Sequence, residues 1–288
     1  MTASAREILV MGLPKAGKTT FIAALWHVIS TKEIPSELQM AELQPSRDHL
    51  NAIAKRWREC VAVERTIHGK DRKVSLNLQT ADGSKVFRLT LPDTSGEVFT
   101  RIFENRRWAT SFGETVDSSD ALIFFLHPDS LVVPQRIDDG VEEAVHVMET
   151  VESSGQETSP QKTSNFVPWE ASRASAQAKI LDLLQLVIRA RKSRALRIVI
   201  IVSAWDLLKH KRISPDKWLA EKAPLVWQFL NANKEKRPYI VYGISAQGDD
   251  YSKANTLREF IKPSERIRVV SEQESSSDIT KPLVWALE

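Results

Sequence analysis

Between positions 12 and 20 the chain reads Gly12-Leu13-Pro14-Lys15-Ala16-Gly17-Lys18-Thr19-Thr20. The residue types and their spacing fit G-x-x-x-x-G-K-[ST], the pattern of a phosphate-binding loop. Gly12 and Gly17 let the backbone turn tightly and present its N–H groups to phosphate oxygens. Lys18 carries a point charge to a β- or γ-phosphate, and the Thr19 hydroxyl can take a place on Mg²⁺. Pro14, Lys15, Ala16 and Thr20 complete the cradle. The rival reading is a glycine turn with no ligand. Context favours the phosphate loop: the apolar run Ile8-Leu9-Val10-Met11 reads as a strand before it, and a helix begins after it with its N-terminus toward the anion.

Three later boxes lie where predicted strands end, which is where an open α/β sheet binds its ligand. Asp93-Thr94-Ser95-Gly96 fits D-x-x-G. Asp93 can hold Mg²⁺ through water, and the Gly96 N–H can sense a γ-phosphate. Ser203-Ala204-Trp205-Asp206 stands where a guanine-reading N-K-x-D box is expected. The two acceptor oxygens of Asp206 match the guanine N1–H and exocyclic amine, whereas adenine presents an acceptor at N1 and no amine beside it. Such a paired contact is worth about 1–3 kcal/mol of discrimination. Ser245-Ala246-Gln247 is similar to an S-A-K box, in which the alanine N–H donates to the guanine O6. Each box has a plainer reading: a turn at Asp93, a helix cap at Asp206, a loop at Ser245. Their order behind a phosphate loop favours guanine nucleotide, GTP or GDP, with Mg²⁺.

Other positions carry departures. Thr66 lies ahead of the predicted hairpin, where a first-switch threonine would reach Mg²⁺ and the γ-phosphate. Thr80 already lies in the strand. Glu97 follows D-x-x-G, where many small GTPases have a water-orienting glutamine. Its charge would repel the γ-phosphate, so slow intrinsic hydrolysis is expected. Trp205 has two placements open, stacked on the base in place of a lysine stem or packed into the core. Lys15 either adds charge near the γ-phosphate or is solvated. Arg101, Arg106 and Arg107 read as a charged helix face, with an arginine finger as the rival.

The elements that must position these residues alternate between strand and helix. Residues 6–11, 121–126, 197–202 and 239–244 read as strands, the second wholly apolar and the third apolar after Arg197, as in strands buried on both faces. Residues 73–80 and 86–91 alternate around Asp82-Gly83, a hairpin. Helical spacing marks 18–30, 98–112, 176–190 and 215–231, with Pro224 breaking the last. Residues 36–65 are expected to add a helix, 267–270 a short strand, and a terminal helix starts from Asp278. The expected fold is α/β: three layers, a mainly parallel sheet with one antiparallel edge strand, and helices on both faces. A single domain spanning 1–288 is expected, with a mobile insertion at 128–172 rich in Ser, Thr, Glu and Gln.

The chain has 288 residues, a net charge of +3, one cysteine (Cys60) and six scattered histidines. That near balance argues against a special affinity for nucleic acid or anionic lipid. One cysteine excludes an intramolecular disulfide, and the histidines form no zinc spacing. No apolar run approaches the roughly 18–20 residues of a membrane span, and the N-terminus lacks the form of a signal peptide. These features read as soluble and cytoplasmic, without membrane or nucleic-acid partners.

Taken together the motifs resemble the bacterial double-GTPase family, within the translation-factor-related (TRAFAC) class of Ras-like P-loop GTPases. The resemblance rests on residues 12–20, Ile180–Gln185, Ser203–Asp206, Tyr242–Asp249, Ser264–Val270 and Asp278-Ile279-Thr280. It covers most of the chain apart from the polar insertion. It implies that Ala204 and Gln247 are family habits, and that the protein works beside a second GTPase and an activating or effector protein in a multi-protein signalling or defence system. Two functions stay open. One is a GTP-hydrolysing switch with Lys18, Thr66 and Glu97 around the reaction. The other is a nucleotide-loaded scaffold that hydrolyses negligibly. An ATP-dependent enzyme is disfavoured by Asp206 and the Ser245-Ala246 pair.

Overall fold

A computed structural model describes residues 6–41, 47–62, 74–91, 96–131, 170–171, 174–191 and 195–288. The apolar runs of the sequence become the centre of one mixed sheet. Its strands are β1 (Arg6–Gly12), β2 (Leu38–Met40), β3 (Val74–Thr80), β4 (Val86–Leu91), β5 (Ala121–Leu126), β6 (Arg197–Ser203), β7 (Tyr239–Ser245), β8 (Arg268–Val270) and β9 (Ser275–Ser276). Their spatial order is β2-β3-β4-β1-β5-β6-β7-β8-β9. The five central strands, β4-β1-β5-β6-β7, run parallel. At each end two further strands pair antiparallel, β2 and β3 beside β4, β8 and β9 beyond β7.

The expectation of one antiparallel edge strand is therefore corrected: antiparallel pairing closes both edges. Strands as short as β2 and β9 leave little pattern in a sequence. Hydrogen bonding to a neighbour, not alternation of their own, makes them strands. The hairpin turn between β3 and β4 forms as expected. The Asp82 carboxylate accepts from the Thr80 hydroxyl at 2.5 Å, the Ser84 N–H at 3.0 Å and the Ser84 hydroxyl at 2.8 Å. Those bonds hold the acid down at about 2.

Alternation along the central strands feeds two cores. Ile8 and Val10, Ile123 and Phe125, and Val199 and Ile201 face one layer. It holds α1 (Lys18–Thr31), α2 (Arg47–Arg58) and a terminal helix (Lys281–Leu287). Leu9 and Met11, Leu122 and Phe124, and Ile198 and Ile200 face the other. There pack α3 (Gly96–Asn105), α4 (Thr110–Ser118), α5 (Ala176–Ala190), α6 (Pro215–Lys222) and α7 (Pro224–Asn233). Burial on both faces is why these strands are unbroken apolar runs. The helix expected over 98–112 is two helices. Arg106 adopts a left-handed φ of 55° between them, a break that no glycine or proline announces. Short helix α8 (Ala254–Arg258) follows β7, and the terminal helix becomes α9 in chain order. Among the described residues no helix is long and apolar enough to cross a membrane.

Register sets up the site. β5 pairs with β6 from Ala121↔Arg197 to Leu126↔Val202, and β6 with β7 from Ile198↔Tyr239 to Ser203↔Ile244. Gly12 at the end of β1 pairs with Phe125. The strands thus stop nearly level, and the loops that follow them gather along one edge.

Candidate functional site

The phosphate loop follows β1 and feeds α1, as its sequence requires. Gly17 has φ 85°, a left-handed turn, and a Cβ there would lie 2.8 Å from the Ser203 Cβ. Glycine serves both needs, the backbone angle and the close approach. Gly17 is also the N-cap of α1, with no side chain bonded to the cap and no acidic residue in the first turn. The first N–H groups of the helix therefore face outward with the positive end of its dipole, an arrangement that suits an anion. Lys18 folds back on the loop, donating to the Gly12 carbonyl at 2.6 Å and the Leu13 carbonyl at 3.0 Å, with its ammonium 5.7 Å from the Phe99 ring centre. Burial pulls its pKa from 10.5 down to about 8. Lys15, in a left-handed conformation at φ 61°, is exposed and lies at the cavity rim. Pro14, Thr19 and Thr20 are half-buried and Ala16 is buried.

Beside this loop a cavity of about 300 Å³ opens past the ends of β5, β6 and β7. Lys15, Gly17 and Thr20 border it on one side, Ser203, Ala204 and Asp206 at its middle, Ala246 and Gln247 on the other. The phosphate loop and two of the sequence boxes thus meet in one space. Ser245 is buried and its hydroxyl donates to the Asp206 carboxylate at 2.5 Å while accepting from the Gly248 N–H at 3.2 Å. Ser245 therefore orients Asp206 from behind. The Ser203 hydroxyl donates to the Leu126 carbonyl at 3.1 Å and sits under Gly17, joining residues 203–206 to the loop of residues 12–20.

Of the two placements open to Trp205, the structure has the buried one. Its ring packs edge-on to Trp218, centres 6.3 Å apart, and leaves no room for a side chain on Gly243. It is not part of the cavity wall. Ala204 at φ 47° makes the left-handed turn that sends Trp205 inward and Asp206 back toward the cavity. Arg106 is paired with Asp182 of α5 at 2.7 Å, and Arg101 and Arg107 are exposed. Only Arg101 lies on α3, while Arg106 and Arg107 fall in the connection to α4, so the expected charged helix face is corrected to one helical arginine and two in a loop.

Thr66 and Asp93 fall outside the described residues. Gly96 begins α3, and of the Glu97 side chain nothing is described. Of the three groups expected on Mg²⁺, Thr19 alone is described. Among the described residues no cluster of three acidic, histidine or cysteine side chains could hold a metal by itself. A lone hydroxyl fits a Mg²⁺ held chiefly by nucleotide oxygens and water. The sequence did not single out His127, Asp129, Leu207, Asp249 and Asp250, which also line the cavity. Their signal was available: each follows closely on a strand that ends at this edge.

The mixed sheet with helices on both faces fits the α/β fold of a phosphate-loop GTPase. The Double-GTPase 1 family profile matches residues 9–286, and the chain belongs to that family. Membership makes it, in general type, a GTP-binding switch protein. No curated protein matches the chain. Among solved structures it is similar to a chain of the signal recognition particle receptor SRb-GTP/SRX complex from Chaetomium thermophilum, at 12% identity and a TM-score of 0.36. That match covers 89% of this chain and 99% of the other. It is also similar to the S. cerevisiae Ski7 GTPase-like domain, bound to GTP, at 13% identity and a TM-score of 0.36, covering 85% of this chain and 43% of the other.

Proposed function

We propose that the chain binds GTP and GDP in this cavity and hydrolyses GTP as a molecular switch. The observation that carries the reading is the Asp206 carboxylate, fixed by Ser245 at the wall of a cavity that reaches the phosphate loop. The phosphates would lie on residues 12–20 with Lys18 released from its own loop to meet them. Asp206 would read the guanine edge, and the Ala246 and Gln247 backbone would read the O6 side. Mg²⁺ would be held by Thr19, with Asp93 and Thr66 as its further ligands. Gly96 would sense the γ-phosphate through its N–H.

Glu97 in place of a glutamine supports slow intrinsic hydrolysis, because a carboxylate near the γ-phosphate repels it. The same residue is what favours the second reading, a nucleotide-loaded scaffold. The wider role we propose is a cytoplasmic switch in a bacterial multi-protein signalling or defence system, with a second GTPase and an activating or effector protein. It rests on family membership.

Single-turnover hydrolysis of bound GTP by the wild type and Glu97→Gln tests the proposal. Slow, measurable turnover that rises in the variant is expected. A wild type faster than the variant contradicts the role given to Glu97, and no turnover in either leaves the scaffold reading.

A further inference from the structure

Trp57, on α2, lines no part of the cavity, yet it grips the loop that does. Its side chain is fully buried, and its indole N–H donates to the Ala246 carbonyl at 2.9 Å. Its own backbone carbonyl accepts from the Gln247 side-chain amide at 3.5 Å and from the Arg266 guanidinium. That guanidinium lies 4.2 Å from the Trp57 ring centre, and the His27 ring lies 5.0 Å from it. Arg266 also backs the turn directly, since a Cβ on Gly248 would come within 2.9 Å of its backbone oxygen. A buried indole with a guanidinium over its ring and an imidazole beside it is a firm anchor, and a cation over an aromatic face strengthens with burial.

The consequence lies in the peptide bond between Ala246 and Gln247. Among the described residues there are no cis peptides, so its C=O and N–H point in opposite senses. The carbonyl is tied to a residue outside the cavity. The N–H therefore points away from Trp57, and Ala246 and Gln247 both line the cavity. A hydrogen bond accepted by the carbonyl also polarises the amide and makes its N–H a stronger donor. Without the indole, a buried carbonyl would lose its partner, and the peptide would be free to rotate in search of another.

We propose that Trp57 is a positioning residue for base selection: it aims the Gln247 backbone N–H at the 6-oxo group of a purine. This rests on the guanine-nucleotide reading above. A 6-amino purine would place a donor against that donor, so Trp57 contributes to rejecting adenine by a route separate from Asp206, which reads the other end of the base edge.

Trp57→Phe keeps an aromatic ring for Arg266 and His27 and deletes the N–H. Affinities of wild type and variant would be measured for GTP, for inosine triphosphate (6-oxo, no 2-amino group) and for the triphosphate of 2-aminopurine riboside (2-amino, no 6-oxo group). Both 6-oxo nucleotides should weaken by roughly tenfold, and the 2-aminopurine nucleotide should not change. Equal weakening of all three, or none, overturns the role of Trp57. A wild type that binds ATP as tightly as GTP removes the underlying guanine reading instead. A second readout uses the wild type alone: the Gln247 amide resonance in nitrogen-15 spectra should shift with GTP and inosine triphosphate and stay put with the 2-aminopurine nucleotide. A resonance indifferent to the 6-oxo group contradicts the proposal even if the variant fails to fold.

Discussion

The two ends of the cavity are prepared in opposite ways. At the base end the polar groups are already aimed by other parts of the protein, Asp206 by Ser245 and the Ala246 carbonyl by Trp57. At the phosphate end the principal charge is spent on its own loop, with Lys18 bonded to the Gly12 and Leu13 carbonyls and its pKa lowered by burial to about 8. Preorganised groups lose little freedom when a ligand arrives, so they confer selectivity. A buried lysine held by neutral carbonyls gains most when an anion replaces them. The base end should therefore decide which nucleotide binds, and the phosphate end how much binding depends on its charge.

The largest effect expected from this contrast is at Lys18. Lys18→Met keeps bulk beside Phe99 and removes the charge. It should weaken GTP by about 1.5–3 kcal/mol, the range for hydrogen bonds to charged groups, while leaving guanosine binding unchanged. Calorimetric titration with both ligands reads the difference. A parallel loss for guanosine would erase the division between the two ends.

An intermediate effect is expected from pH. Between about 8 and the ordinary lysine value of 10.5 the unfolded chain holds more protons at this position than the fold. Raising the pH through that window stabilises the unliganded fold through Lys18. Nucleotide binding runs the other way, because the phosphates require the ammonium. Above pH of about 8 the affinity for GTP should fall by up to tenfold per unit, about 1.4 kcal/mol. Titrations in buffers of different ionisation enthalpy should show a proton taken up on binding. Affinity that is flat from about pH 7 to about pH 9, roughly one unit below and above that midpoint, contradicts a lysine poised there.

The smallest effect is at Ser245. Ser245→Ala leaves Asp206 in place but loosens its aim, and the cost should be about 1 kcal/mol. It should appear as GDP release roughly fivefold faster, measured with a fluorescent nucleotide. An unchanged release rate would mean that the 2.5 Å bond to Asp206 does not orient it.

Much of this arrangement was legible in the chain. Helix α5 occupies residues 176–190, as the stripe Ile180, Leu183, Leu184, Val187 and Ile188 predicts; the first four are buried and Ile188 is half-buried. The phosphate loop, Asp206 and Ala246 converge because strands with buried faces and matched register deliver them to one edge. What stayed hidden depends on contacts distant in sequence. Trp57 reads as one apolar position on an amphipathic helix, and nothing local ties its indole to Ala246. Trp205 could face either way until Gly243 on the neighbouring strand supplied the space for its ring. The split between α3 and α4 turns on one left-handed residue, Arg106, that composition does not mark.

The central claim is that Asp206 reads guanine. Its most direct test is calorimetric titration of the protein with GTP, GDP and ATP in Mg²⁺, repeated on Asp206→Asn. Guanine nucleotides should bind well above ATP, with a loss of about 1–3 kcal/mol in the variant for GTP and GDP alike. ATP bound as tightly as GTP, or a variant that binds both guanine nucleotides like the wild type, would contradict it.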